Sequence, residues 1–199
     1  MLFVGLTGGI GSGKSEALAA CRRAGAAVLS SDEVVHELLG TEEVKDILAA
    51  RWGEPVLSGS EIDRAAVAEI VFKNPDDLQW LERTLFPLVG SEMAAWRADL
   101  ESSGEPPPVA VVEVPLLFEA GIEDAFDATV AVVADEEARA GRAEGRDHRG
   151  VGERTARQLT QEEKAARADY VVRNDGTLED LEREMGGLLE RLTREGARS

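Results

Sequence analysis

Short apolar runs alternate with longer amphipathic stretches along this chain. The runs fall at residues 2–6, 26–29, 109–114, 128–133 and 170–172 and suit buried parallel strands. The amphipathic stretches between them predict helices, and strands alternating with helices make an open α/β sheet covered on both faces. One interval breaks the rhythm. Between 32 and 108 the pattern predicts helices over 33–39, 42–52, 64–72 and 76–101, interrupted by turn chemistry at Gly53-Glu54-Pro55, Ser58-Gly59-Ser60 and Asn74-Pro75. A crossover between neighbouring strands needs one helix, so this surplus predicts a helical substrate-binding insertion. The linker Ser102-Ser103-Gly104-Glu105-Pro106-Pro107-Pro108 closes it.

A length of 199 residues suits one well-buried domain with small inserted parts. The formal net charge of −17 argues against nucleic acid as a general partner, because two polyanions repel. Cys21 is the only cysteine, which excludes an intrachain disulfide and a cysteine-based metal cluster; its setting in Ala17-Leu18-Ala19-Ala20 suits a small buried hydrophobe. The amino terminus runs into a strand with no targeting pattern, and no apolar run approaches membrane-spanning length. The expectation is a soluble cytoplasmic protein.

The chemistry concentrates just after the first run, in Gly8-Gly9-Ile10-Gly11-Ser12-Gly13-Lys14-Ser15. This is the G-x-x-x-x-G-K-S phosphate-binding loop in its required context, between a strand and a helix. Its glycines let successive N–H groups converge on phosphate oxygens, and the helix that follows adds its positive dipole end. Lys14 supplies a mobile charge for the β- and γ-phosphates, and the Ser15 hydroxyl suits Mg²⁺. A nucleoside triphosphate is the predicted ligand.

Other polar residues carry two readings each. Asp32 follows the second strand, where it is either a carboxylate near the γ-phosphate or the N-cap of a helix starting at Glu33. Arg139, Arg142, Arg146, Arg149, Arg154 and Arg157 concentrate positive charge, either as a lid over transferring phosphate or as a solvated face paired with Glu136, Glu137, Glu144 and Glu153. Glu113 ends the third strand as a carboxylate near Mg²⁺ or as a turn residue. Asn174-Asp175-Gly176 predicts a tight turn that can also face the adenine edge. His36 and His148 are too isolated to suggest a metal site.

Over nearly its whole length the chain resembles the dephospho-coenzyme A kinase family. The resemblance is carried by the phosphate loop, Asp32, Ile62-Asp63-Arg64, Phe72-Lys73-Asn74-Pro75 and Pro115-Leu116-Leu117-Phe118-Glu119. It continues through Arg142, Arg146-Asp147, Arg154, Gln158, Glu162-Glu163-Lys164 and Ala168-Asp169-Tyr170-Val171-Val172 to Asn174-Asp175-Gly176. The resemblance implies a three-layer α/β/α P-loop kinase fold with a five-stranded parallel sheet. It implies a core of about 1–31, 109–138 and 169–199, an acceptor-binding helical insertion of about 32–108, and a helical lid of about 139–168. The implied reaction transfers the ATP γ-phosphate to the ribose 3′-hydroxyl of dephospho-coenzyme A, with Mg²⁺ accompanying ATP.

By position, Asp32 resembles the family's catalytic base and Arg142 its lid arginine, both catalytic together with Lys14. Gly11, Ser12, Gly13, Lys14, Ser15 and Glu16 resemble the ATP cradle, with Ser15 on the metal. Asn174 and Gly176 match the adenine-side turn, and Asp32 with Arg64 the acceptor region. The chain departs from the family pattern in Ser30-Ser31-Asp32 for Asp-Ala-Asp, in His36 for arginine, in Phe86 for histidine before proline, and in Glu16 for threonine. The expected partners are ATP and dephospho-coenzyme A, with no nucleic acid or membrane; the oligomeric state is left open, with a monomer favoured.

Two rival readings stand beside this one. Another small-molecule or nucleoside monophosphate kinase is built on the same scaffold. A nucleotide switch is the other, and the chain contains no Asn-Lys-x-Asp guanine-reading motif.

Overall fold

In the computed structural model, which describes residues 1–136, 138, 139 and 158–196, the five apolar runs form one parallel sheet. Its strands are β1 (Leu2–Gly8), β2 (Ala27–Ser30), β5 (Val109–Glu113), β6 (Ala128–Val133) and β7 (Tyr170–Arg173), in the order β2-β5-β1-β6-β7. Every residue of β5 and β6 is buried, as expected of strands covered on both faces. β1 is central: Leu2 pairs with Val109 and Leu6 with Glu113 on one side, Val4 with Ala128 and Gly8 with Val132 on the other. Because all five strands are parallel, the chain leaves the sheet after Gly8, Ser30, Glu113, Val133 and Arg173 at one edge.

The helices are α1 (Lys14–Arg23), α2 (Ser31–Leu38), α3 (Glu42–Trp52), α4 (Arg64–Lys73), α5 (Pro75–Ser102), α6 (Gln161–Arg167) and α7 (Leu178–Gly196). They fall into two compact units: Met1–Ser30 with Arg97–Ser199, and Ser31–Trp96. In the first unit, strand alternation gathers Val4, Leu6, Val111 and Val130 into one core with Ala17 and Cys21 of α1 and Leu181 and Met185 of α7. On the opposite face of β1 the Phe3 ring stacks on Phe126 at 5.1 Å, and the Arg97 guanidinium lies over Phe3. Gly5 leaves room there, since a Cβ on it would come within 2.5 Å of Leu117.

The second unit is the helical interval. Asp63 caps α4 by accepting from the N–H groups of Ala65 and Ala66, and Thr41 caps α3 by accepting from Val44. Asp77 accepts from Arg51 and from the Trp52 indole, and Trp52 packs edge-on against Trp80. The Lys45 ammonium is held between Glu42 and Glu61.

The expected helix over 76–101 runs through Pro87 as α5, 28 residues long. Two details differ from the sequence expectation. The turn at Ser58-Gly59-Ser60 joins a short antiparallel hairpin, β3 (Leu57–Ser58) and β4 (Glu61–Ile62), too short to show periodicity. Finally, α2 starts at Ser31, directly after β2, so Asp32 stands in its first turn and does not cap a helix starting at Glu33. A carboxylate in that turn is favoured by the helix dipole. No described helix is long and apolar enough to cross a membrane.

Candidate active site

The phosphate loop follows β1 without a spacer. Gly8 has no room for a side chain: a Cβ would lie 2.3 Å from the Val132 carbonyl oxygen and 2.7 Å from Ser12 Oγ. Gly11 and Gly13 have φ of 76° and 91°, the left-handed region that favours glycine. Gly13 is the N-cap of α1 and offers no side chain, so no capping group competes at the amino end of α1 with an incoming anion.

The loop's carbonyls are turned toward donors. Gly9 oxygen accepts from Ser12 N–H at 3.2 Å and from Lys14 Nζ at 3.0 Å. Ile10 oxygen accepts from Arg139 Nε at 3.0 Å, and Ser12 oxygen from Asn174 Nδ2 at 2.9 Å. Ser12 is completely buried, and its hydroxyl has no partner among the described residues. A buried hydroxyl left unsatisfied costs about 1–3 kcal/mol. Ser15 and Glu16 are exposed in the first turn of α1.

Around the loop, Glu113 is buried at the end of β5, in register with Leu6 of β1 and Ser30 of β2. Asn174 is buried after β7, where its N–H donates to Val133 oxygen at 2.8 Å. The next residue, Asp175, accepts from Asp135 N–H, and Gly176 follows against Asp180. Burial pushes the Cys21 thiol up to about 12, which removes it as a nucleophile.

In the helical unit, Asp32, Glu33, His36 and Glu37 line an open cleft of about 400 Å³. The Arg64 guanidinium makes a close hydrogen bond to His36 Nδ1, which holds Arg64 beside α2. Among the described residues no group of three His, Cys, Asp or Glu could hold a metal alone. Arg142, Arg146, Arg149, Arg154, Arg157 and His148 lie outside the described residues.

Sequence reasoning brought Gly8 to Ser15 together correctly and missed what holds them. Arg139 appeared only as one of six arginines, and Asn174 as an adenine-side turn. Their links to Ile10 and Ser12 span 129 and 162 residues, and no local pattern encodes such pairs.

A family model described as dephospho-CoA kinase matches residues 2–180. A dephospho-CoA kinase of Protochlamydia amoebophila is 37% identical over 193 residues, covering 95% of each chain. Among solved structures, that of TT1252 from Thermus thermophilus has a TM-score of 0.78 at 35% identity and covers 96% of this chain and 97% of its own. Dephospho-CoA kinase from Campylobacter jejuni shares the fold, with a TM-score of 0.72 at 22% identity and 98% of both chains covered. Matched by the family model over residues 2–180 and by a relative 37% identical over 95% of both chains, the chain belongs to the dephospho-CoA kinase family.

Proposed function

We propose that the chain transfers the γ-phosphoryl group of ATP to the ribose 3′-hydroxyl of dephospho-coenzyme A, the final step of coenzyme A synthesis. The observation that carries this reading is the phosphate loop, with its outward-turned carbonyls and uncapped helix, in a chain of this family. Gly11 to Glu16 cradle the triphosphate through backbone N–H groups, and Lys14 swings its ammonium from Gly9 oxygen to the β- and γ-phosphates. Ser15 would hold the Mg²⁺ that accompanies ATP, an ion that would draw charge from the phosphate oxygens. Arg142 stabilises the charge on the transferring group, and Asn174 and Gly176 complete the ATP site.

Asp32 is the base. Its carboxylate orients the 3′-hydroxyl and takes its proton as the new O–P bond forms and the bond to the β-phosphate oxygen breaks, releasing ADP. The transition state is loose, so alignment and charge stabilisation contribute more than base strength. Two observations support Asp32 in this role: it lines the cleft with His36, and it stands two residues beyond the strand that ends in register with Glu113. Arg64, held by His36, belongs to the acceptor side. The enzyme works in the cytoplasm as a monomer on these small molecules, with neither nucleic acid nor membrane as partner. Its parts are a core of about 1–31, 109–138 and 169–199, an acceptor-binding insertion of about 32–108 and a lid of about 139–168.

A coupled ADP-release assay tests the reading. Release is expected to depend on dephospho-coenzyme A and to stay near background with shikimate or nucleoside monophosphates. Equal release with another acceptor, or with none, would overturn it.

A further inference from the structure

A phosphate cradle is an arrangement of N–H groups, but what fixes it is where the opposing carbonyls go. When consecutive peptide units turn their N–H groups inward, their carbonyls turn outward and each needs a donor. In this loop the Gly9 carbonyl takes Lys14 Nζ and Ser12 N–H, and the Ile10 carbonyl takes Arg139 Nε. The Ser12 carbonyl, the last before the helix cap at Gly13, takes Asn174 Nδ2 at 2.9 Å.

The Asn174 bond differs from the other two. Lysine and arginine carry flexible stems, and the lysine must leave Gly9 to meet phosphate. Asn174 is 5% exposed, and its own N–H is fixed to Val133 oxygen at the sheet edge. Its amide is therefore a rigid strut from the end of β7 to the loop. Both peptide groups it connects are buried, so losing the donor leaves the Ser12 carbonyl without this bond in a dry place.

We infer that Asn174 is a positioning residue, which sets the phosphate cradle by holding the Ser12 carbonyl and acts on the triphosphate, not on the adenine base. The inference rests on the ATP-binding half of the proposed function and is independent of the acceptor.

The test is equilibrium binding without acceptor, by calorimetry, for ATP, inosine triphosphate and inorganic tripolyphosphate. Asn174→Ala removes the strut; Asn174→Leu removes the donor while keeping the number and branching of heavy atoms, and it decides the matter if the alanine variant does not fold. Each variant is measured at a temperature where its circular dichroism is native. The Kd for tripolyphosphate and for ATP are both expected to rise about tenfold, the scale of one lost hydrogen bond. The ratio of ATP to inosine triphosphate affinity is expected to stay at the wild-type value. Unchanged tripolyphosphate binding would overturn the inference, as would a loss confined to ATP, which marks a base contact. A wild-type protein that bound no ATP would instead sink the proposed function.

Discussion

Lys164 Nζ lies 2.8 Å from Glu119 Oε1, with the lysine side chain wholly buried and the glutamate 14% exposed. The same ammonium donates to Pro115 oxygen at 2.5 Å, which also accepts from Thr7 Oγ1, and Glu119 accepts from Leu159 N–H at 2.9 Å. The ion pair thus ties the Pro115 to Glu119 segment to α6, and Glu119 also holds Leu159, two residues before that helix. Removing one partner of a buried pair leaves the other charge uncompensated, at a cost of about 3–5 kcal/mol. Lys164→Met is expected to lose stability on that scale in urea unfolding. The double variant with Glu119→Gln is expected to regain part of the loss. A Lys164→Met protein as stable as its parent would show that the pair contributes little.

The Gly8 position predicts a sharper effect from a single methyl group. The Val132 carbonyl that a Cβ would strike at 2.3 Å belongs to the central sheet, so it cannot move aside, and Ser12 Oγ stands 2.7 Å away on the loop. The strain must pass into the loop. Gly8→Ala is expected to cost about 1–3 kcal/mol in thermal unfolding and to weaken ATP binding more than tenfold. ATP affinity unchanged in a folded Gly8→Ala protein would mean that the loop tolerates the displacement.

Much of this architecture was legible because the relevant signals are local. Five apolar runs located the strands within a residue or two, and the loop declared its chemistry through spacing alone. The surplus helices of the 32–108 interval were legible too, since amphipathic spacing and the turn residues at Gly53-Glu54-Pro55 and Asn74-Pro75 are local signals. What stayed hidden depends on long-range packing. The start of α2 at Ser31 depends on how β2 delivers the chain, and the two-residue strands of the hairpin carry no period. Lys164 entered only as part of the resemblance, in Glu162-Glu163-Lys164, and only the fold shows it meeting Glu119 across 45 residues.

Acid sensitivity has a definable contribution at the start of α7. The Thr177 hydroxyl and N–H both donate to Asp180, the Asp180 N–H donates back to the Thr177 hydroxyl, and Arg183 adds a charged donor. These bonds, those from Thr177 first, hold the Asp180 carboxyl down at about 2 against an ordinary value of 3.8. A carboxyl depressed in the folded state contributes stability that is complete above its unfolded value and is lost as pH falls toward the folded one. Asp180→Asn is expected to be less stable than its parent at pH 7, with the gap narrowing between about pH 5 and pH 2. A gap constant across that window in thermal melts would show that the carboxylate's charge has no part in the cap.

Asp32 is where chemistry and binding should separate. It is exposed in the first turn of α2, on a cleft shared with Glu33, His36 and Glu37, so its removal disturbs no core packing. The triphosphate cradle lies on a different segment and keeps every one of its own bonds when this side chain is cut back. Asp32→Ala is therefore expected to lower kcat by about 10²–10⁴-fold, the range for a positioned acid or base, while the Kd for ATP stays within about twofold. Asp32→Asn keeps the shape and can still accept a hydrogen bond, but it cannot take the proton, so its kcat is expected to fall, though less far than in Asp32→Ala. If the asparagine variant turned over like the parent, Asp32 would be placing the hydroxyl without receiving its proton. If the alanine variant did so too, the base would have to be sought among the other carboxylates of that cleft, Glu33 and Glu37.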